Sequence, residues 1–348
     1  MAVQNDAWIR DCRAAMRDSE VDYFAVSPFI YWRDFLLSIT LAYTAAAIYL
    51  ESPLFSLVQC IAFPLAVFWL YRAGSLIHEV CHLGAKEMRS FQFVWNLLAG
   101  VMMLTPSPFY TAHHRDHHTM RLFGTKRDPE YVVNYFKPGS ILSLLCYAGV
   151  VLVFPLLVVT RFILTPLTFL HPKLREFVLT RCSSLMMNPH YIRRVRQGEK
   201  WRILAVELLC WIRATMIPLG VLIGLTHWTR LPMLYLLGVS VLILNQMRLL
   251  ADHHYDADGE QMSFSDHLLD SCNYSSRDFF TWLFFPFSIR YHALHHLFPT
   301  LPYHNLAAAN DHLLKTLPAD SSYRQLDQPN WRTVASRTVR AREEKPAQ

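Results

Sequence analysis

The chain has 348 residues, 53% hydrophobic and 14% aromatic, and only 17% are charged, against about 25% in an average soluble domain. The net charge of +6 contains no closely spaced run of Lys and Arg that would read nucleic acid. A basic bias on the cytoplasmic side of a bilayer explains it better. The seven cysteines are scattered, with no C-x-x-C pair, which argues against a disulfide framework or a thiolate zinc site.

Residues 1–34 show no short basic region followed at once by an apolar core. They are expected to be an N-terminal cytoplasmic or interfacial segment, not a cleaved signal. Apolar blocks at 35–50 and 54–71 flank Glu51-Ser52-Pro53. Each spans roughly 24 to 27 Å at the rise of an α-helix, and together they predict an antiparallel transmembrane hairpin. The shorter block 91–104 ends at Thr105-Pro106-Ser107-Pro108 and predicts a re-entrant or interfacial helix. Segment 141–164 is divided by Pro155, and 171–202 then carries eight Lys or Arg against two Glu. Blocks 203–225 and 231–250 predict a second hairpin.

Topology constrains the middle of the chain. A single crossing by 141–164 would put the basic segment outside, against the positive-inside rule, and would separate the histidine clusters described next. A re-entrant hairpin broken at Pro155 avoids both. The expected fold is all-α and integral to the membrane, with four transmembrane helices in two hairpins, interfacial or re-entrant helices, and a cytoplasmic histidine-rich cap. The membrane domain is expected over 35–306, followed by a C-terminal cytoplasmic tail over 307–348 that packs against the histidine region.

Eleven of the 17 histidines fall in four places: His78 and His82; His113, His114, His117 and His118; His253 and His254; and His292, His295 and His296. Spacings of three and four residues put side chains on one helix face, and neutral imidazole is the commonest biological metal ligand. So many convergent imidazoles exceed the needs of one ion and point to two. His113 pairs only with His117 in this pattern. Asp252 precedes His253 and is positioned to hold its second ring nitrogen, which favours His253 over His254 as ligand. His304 is a weaker candidate for such a supporting role, and His267, His171, His190, His227 and His312 stand alone. His78-Glu79-Val80-Cys81-His82 also fits the H-E-x-x-H zinc-protease motif, with Glu79 as general base, but one zinc with two of these histidines leaves the other clusters without a purpose.

H-x-x-x-H at 78–82, H-x-x-H-H at 114–118 with Asp128-Pro129 beyond it, and H-x-x-H-H at 292–296 running on into Leu297-Phe298-Pro299-Thr300-Leu301-Pro302-Tyr303-His304 resemble the membrane-bound fatty acid desaturase superfamily in its bacterial form. Related hydroxylases belong to the same superfamily. The resemblance implies a di-iron centre with O2 as co-substrate and His78, His82, His114, His117, His118, His253, His292, His295 and His296 as ligands. It implies no catalytic residue beyond the metal centre. In acyl-CoA members an asparagine reaches the metal through water, four residues before the isolated histidine. Here that position is Leu249, and Asn245 lies a turn earlier.

The implied activity is oxidation of an unactivated C–H bond in a fatty acyl or related lipid chain. Desaturation comes first, with hydroxylation or oxidative decarboxylation to a terminal alkene as alternatives. An apolar tunnel between the hairpins would hold the substrate. The chain carries no His-Pro-Gly-Gly haem signature and no cysteine set for an iron–sulfur cluster, so a separate donor of ferredoxin, rubredoxin or cytochrome b5 type, with its reductase, is expected. Arg193, Arg194 and Arg196 in the basic segment are candidates to dock it, with binding of anionic lipid as the more ordinary role of such a segment. A bacterial inner membrane, with the active site on the cytoplasmic face, is the expected location in preference to the endoplasmic reticulum.

Overall fold

The computed structural model describes residues 6–84, 86–276 and 278–340, and all regular secondary structure among them is helical. Five helices are long and apolar enough to cross a membrane: Pro28–Glu51, Leu57–His82, Ile141–Ile163, Lys200–Leu222 and Arg230–Asp252. The chain divides into two compact units. One comprises Met1–Ser27, His117–Tyr147 and Gln246–Gln348 as far as these are described, and the other Pro28–Asp116 and Ala148–Asn245.

In the second of these units, α2 (Pro28–Glu51) and α3 (Leu57–Ser75) form a hairpin, α1 (Ala7–Arg17) lying before them in the chain. The buried side of α2 reads Tyr31, Phe35, Ser38, Ala42, Ala45 and Tyr49, the alternating spacing of three and four that keeps one stripe facing a partner. Its opposite side exposes Leu36, Leu37 and Ile48, side chains suited to hydrocarbon and not to water. Ala45, Ala62 and Ala66 lie at the α2–α3 contact, where small residues let backbones approach closely. The turn between the helices is fastened by Gln59, whose carbonyl accepts from Phe55 N at 2.8 Å and whose amide donates to Tyr49 O at 3.2 Å. Helix α2 begins seven residues before the expected boundary at 35.

Helix α4 (Ile77–His82) continues from α3 with little interruption and carries the first histidine pair. Helix α5 (Arg89–Trp95) then passes into a π-helical turn, Asn96–Val101. Trp95 Nε1 donates to Ala73 O at 3.0 Å. Asn96 accepts from Ser107 N at 2.8 Å and donates to Ser107 Oγ at 2.9 Å, fixing the start of α6 (Ser107–His117), where Pro108 suits a first helical turn.

Segment 141–164 differs from expectation. It forms one helix, α7 (Ile141–Ile163), with Pro155 inside it, and does not turn back at the proline. Proline in a helix interior forfeits a hydrogen bond and costs about 3 kcal/mol in water. Apolar spans tolerate it because neighbouring groups satisfy the freed carbonyl. Past α8 (Pro172–Arg181), the chain folds onto α6: Arg193 donates to Pro108 O at 2.7 Å and Tyr191 to Asp116 Oδ2 at 2.8 Å. Phe162, at the end of α7, meets Phe109 edge-on at 5.8 Å. The Phe109 ring is also faced by the guanidinium groups of Arg161 and Arg193. Glu207, fully buried in α9 (Lys200–Leu222), pairs with Arg161 and Arg175. Arg193 is only 1% exposed. It braces the helix of the second cluster and is closed to a docking partner, unlike Arg194 and Arg196, which are exposed.

In the first unit, the end of α10 (Arg230–Asp252) leads into His253. Helices α11 (Phe264–Asp270), α12 (Phe279–Phe284), α13 (His292–Leu297), α14 (Tyr303–Thr316) and α15 (Trp331–Val339) follow. The extended segment around Asn273 laces them together. Cys272 N donates to Asp252 O, Ala293 N to Cys272 O, Asn273 N to Leu326 O and Gln328 N to Asn273 O, at 2.7 to 3.2 Å. Trp331 and Val334 of α15 share a core with Ala251, Cys272 and Tyr274. Residues expected to be a tail are therefore part of the fold that holds His253, and the boundary at 307 falls inside α14. The tail's last residues, 341–348, lie outside those described.

Candidate metal centre

Four histidines of the first unit, His117, His253, His292 and His296, are all buried, and one ring nitrogen of each lies within 4.8 Å of the others. His292 Nε2 is 3.1 Å from His253 Nε2 and 3.0 Å from His296 Nε2. Two nitrogens bound side by side at about 2.1 Å from a metal stand about 3.0 Å apart, so the spacing suits ligands that share an ion. In three of the four, the other ring nitrogen faces a further polar group. His117 Nδ1 lies 2.8 Å from Asp128 Oδ1, His253 Nδ1 3.1 Å from Ser271 Oγ, and His296 Nδ1 2.7 Å from His267 Nε2. Partners of this kind fix the orientation and tautomer of a metal-binding histidine.

Burial, reinforced by neighbouring imidazoles, holds His253 and His296 well below the ordinary histidine range. Both are neutral, as ligation demands. Burial pulls His117 down too, but the Asp128 carboxylate outweighs it and the balance is upward. His118 and His295 belong to the same unit, their rings 4.9 Å apart and edge-to-face, with His118 also stacked on His296 at 4.2 Å.

The second unit brings together His78, His82 and His114, again within 4.8 Å by ring nitrogen. His82 and His114 face each other Nε2 to Nε2 at 3.0 Å. His114 Nδ1 lies 3.0 Å from the Tyr110 hydroxyl, and His78 Nδ1 lies 3.2 Å from Glu79 Oε1. The other Glu79 oxygen accepts from Tyr31 at 3.1 Å. Glu79 thus stands behind His78, on its outward nitrogen, and not in the position of a general base. In both units the donor set fits a metal: imidazole nitrogens that converge, on rings that are buried or, at His82, half-buried.

The remaining candidates are distributed differently from expectation. His253 belongs to the four-histidine group and His254 does not, its backbone N–H going instead to Asp270 O at 2.6 Å. Asp252 does not hold His253. It pairs with Arg248 one turn back, because the helical register aims its carboxylate along α10, and Ser271 takes the role, with Asp270 Oδ2 at 3.6 Å. Asp128 sits on His117. His113 packs edge-on to Tyr110 and Tyr191, outside the histidine groups. His304 Nε2 accepts from Ser27 N at 3.1 Å and ties down the N-terminal segment. Asn245 is half-buried in α10, two turns before Asp252.

His267, which stands alone in the sequence, is 1% exposed and stacks on Phe123 at 3.5 Å. Its contact with His296 joins residues 29 apart, and no local spacing reports it. Phe123 in turn packs within 5.3 to 5.8 Å of His117, His253 and His296 and walls the group with an apolar ring.

The family model described as "Fatty acid desaturase" matches residues 52–327. A protein of Caulobacter vibrioides named "Ceramide hydroxylase" is 36% identical over 325 residues, covering 91% of this chain and 90% of its own length. No solved structure matches. The histidine groups, the apolar helices and these similarities lead to one conclusion: the chain belongs to the fatty acid desaturase family, as an integral membrane oxidoreductase acting on lipid.

Proposed function

We propose that this protein hydroxylates a long-chain lipid of the ceramide class at an unactivated C–H bond, using O2 and two irons held by His78, His82, His114, His117, His118, His253, His292, His295 and His296. The observation that carries the choice of hydroxylation is the 36% identity, across nine-tenths of both chains, to a relative named for that reaction. Desaturation of a fatty acyl chain is the second reading, favoured by the family description. The two outcomes share the first hydrogen removal, so the ligands do not separate them.

Iron bound at these imidazoles would supply the O2 activation that an unactivated methylene requires, since such a carbon offers neither an acidic proton nor an electrophilic centre. The protein's own groups orient and exclude. Asp128, Ser271 and His267 hold the rings of His117, His253 and His296, and Glu79 and Tyr110 do the same for His78 and His114. Phe123 covers the four-histidine group and keeps water from it. Apolar side chains of the hairpins would hold the lipid so that one carbon meets the oxidant. In hydroxylation one oxygen atom enters the product and the other leaves as water, consuming two protons and two electrons. A separate donor of ferredoxin, rubredoxin or cytochrome b5 type would deliver the electrons.

All the histidine clusters lie on the cytoplasmic face in this reading. Its support is the excess of Lys and Arg over residues 171–202, which favours the cytoplasmic side.

The test is mass spectrometry of total lipid from cells that make ceramide and express the chain. Product ceramide carrying one added oxygen supports hydroxylation. Loss of two hydrogens supports desaturation, and unchanged lipid in cells containing the iron-loaded protein and a competent donor rejects both. His295→Ala should abolish product and lower bound iron together.

A further inference from the structure

Helix α11 (Phe264–Asp270) contains none of the nine proposed ligands, yet it and the residue after it face two of them. His267 Nε2 lies 2.7 Å from His296 Nδ1. Ser271 Oγ lies 3.1 Å from His253 Nδ1 and donates to His267 O at 3.0 Å. Ser263 caps the helix by accepting from Asp266 N at 3.1 Å, so the register of His267 is set from its first turn. The His267 ring is stacked on Phe123 with an interplanar angle of 19°. Its Nδ1 is buried and makes no hydrogen bond among the described residues. A side chain serving only to fill this space would be apolar. A buried imidazole with its single polar contact on a metal-group histidine has another use.

We propose that His267 is a positioning residue for the metal centre, accepting the Nδ1–H of His296 and thereby presenting His296 Nε2 as the ligating atom. Ligation through Nε2 requires the proton of neutral His296 to sit on Nδ1, and His267 Nε2 is the acceptor at hydrogen-bond distance there. His117 has an anionic partner in Asp128, whereas His296 has a neutral one. The two ligands therefore differ in basicity, with His296 the weaker donor of electron density to an ion shared with His117.

The inference rests on the metal-centre reading, and the experiment separates the two. The full-length protein in nanodiscs is loaded with Fe(II), passed through a desalting column containing a competing chelator, and assayed for iron by mass spectrometry. Cobalt-loaded samples are examined by visible absorption. His267→Gln keeps an acceptor at similar reach, His267→Asn is as polar but shorter, and His267→Leu removes the acceptor. Outer partners of metal-bound histidine typically contribute 10- to 100-fold in affinity. The Asn and Leu proteins should therefore bind one of two ions about 10- to 100-fold more weakly and show an altered cobalt spectrum. The Gln protein should keep both ions and the wild-type spectrum. Wild-type affinity and spectrum in a folded Asn or Leu protein would overturn the proposal, as would loss of the ion from a folded Gln protein. If Leu does not fold, the Gln and Asn pair decides. A wild-type protein that takes up no metal would instead defeat the metal-centre reading itself.

Discussion

His117 and Asp128 meet at 2.8 Å, both essentially inaccessible to solvent. The carboxylate is shared: Asp128 Oδ2 also accepts from Gly124 N at 2.8 Å, and Oδ1 from Glu130 N at 3.0 Å. One side chain therefore holds the His117 ring and shapes the loop that carries Phe123 over the histidines. Asp128→Ala should lower the affinity for one metal ion by about 10- to 100-fold and destabilise the metal-free protein by about 2–3 kcal/mol, since buried hydrogen bonds to a charged group are lost. Iron titration and thermal unfolding in chelator measure the two effects separately.

Gly124 has φ +71°, and a Cβ there would come within 2.7 Å of the Ala257 Cβ and 3.1 Å of the Met262 sulfur. Strain and collision act together, so Gly124→Ala should cost about 1–3 kcal/mol. The same change at Gly149, where nothing lies within 4 Å and the backbone is helical, should be neutral or stabilising. Comparing the two melting temperatures checks this.

Arg193 and Arg194 are neighbours with opposite fates. Arg193→Gln removes the buried contacts to Pro108 O and the Phe109 ring and should destabilise by about 1–3 kcal/mol. Arg194→Gln should leave stability unchanged within about 0.5 kcal/mol. If the basic segment receives an acidic electron donor, only Arg194, Arg196 and their exposed neighbours contribute. Their neutralisation then raises the KM for the donor without changing iron content.

Glu130 is pushed up to about 7 from 4.5, chiefly by burial, with Asp128 and Asp252 adding to the rise and His117 and Arg248 opposing it. A carboxyl raised in the folded state favours folding fully below its unfolded value. That contribution falls as pH rises from about 4.5 and is gone above about 7. The metal-free wild type should therefore lose stability relative to Glu130→Gln between pH 5 and 7, with a constant difference above that. Melting temperatures of both proteins in chelator across this range test the sign.

Cys12 is buried, and burial pushes its thiol up to about 12, whereas Cys182 is exposed between α8 and the loop that braces α6. In a chain with other cysteines replaced, Cys182 should react with an impermeant maleimide added to the cytoplasmic face and Cys12 should resist it until unfolding. Labelling of Cys182 from the opposite face alone would reject the placement of the basic segment.

The apolar blocks, their lengths and the spacing of the three principal histidine clusters are legible in the sequence because they are local. A helix of the right length and a face with period three and four follow from neighbouring residues alone. The course of 141–164 is not local in this sense. Pro155 reads as a break, and whether its freed carbonyl finds a substitute depends on what packs there. The choice of His253 over His254, the turning of Asp252 toward Arg248, and the recruitment of Ser271 are likewise decided where separate segments meet. Arg193 reads as surface charge until the fold buries it against Phe109.

The sequence alone determined an all-α chain with membrane-length helices and histidines grouped for metal, since periodicity and composition act over a few turns. Only the tertiary structure decided which nitrogens converge and what holds each ring from behind. His267 and His296 lie 29 residues apart, and nothing but folding brings their ring nitrogens to within 2.7 Å of each other.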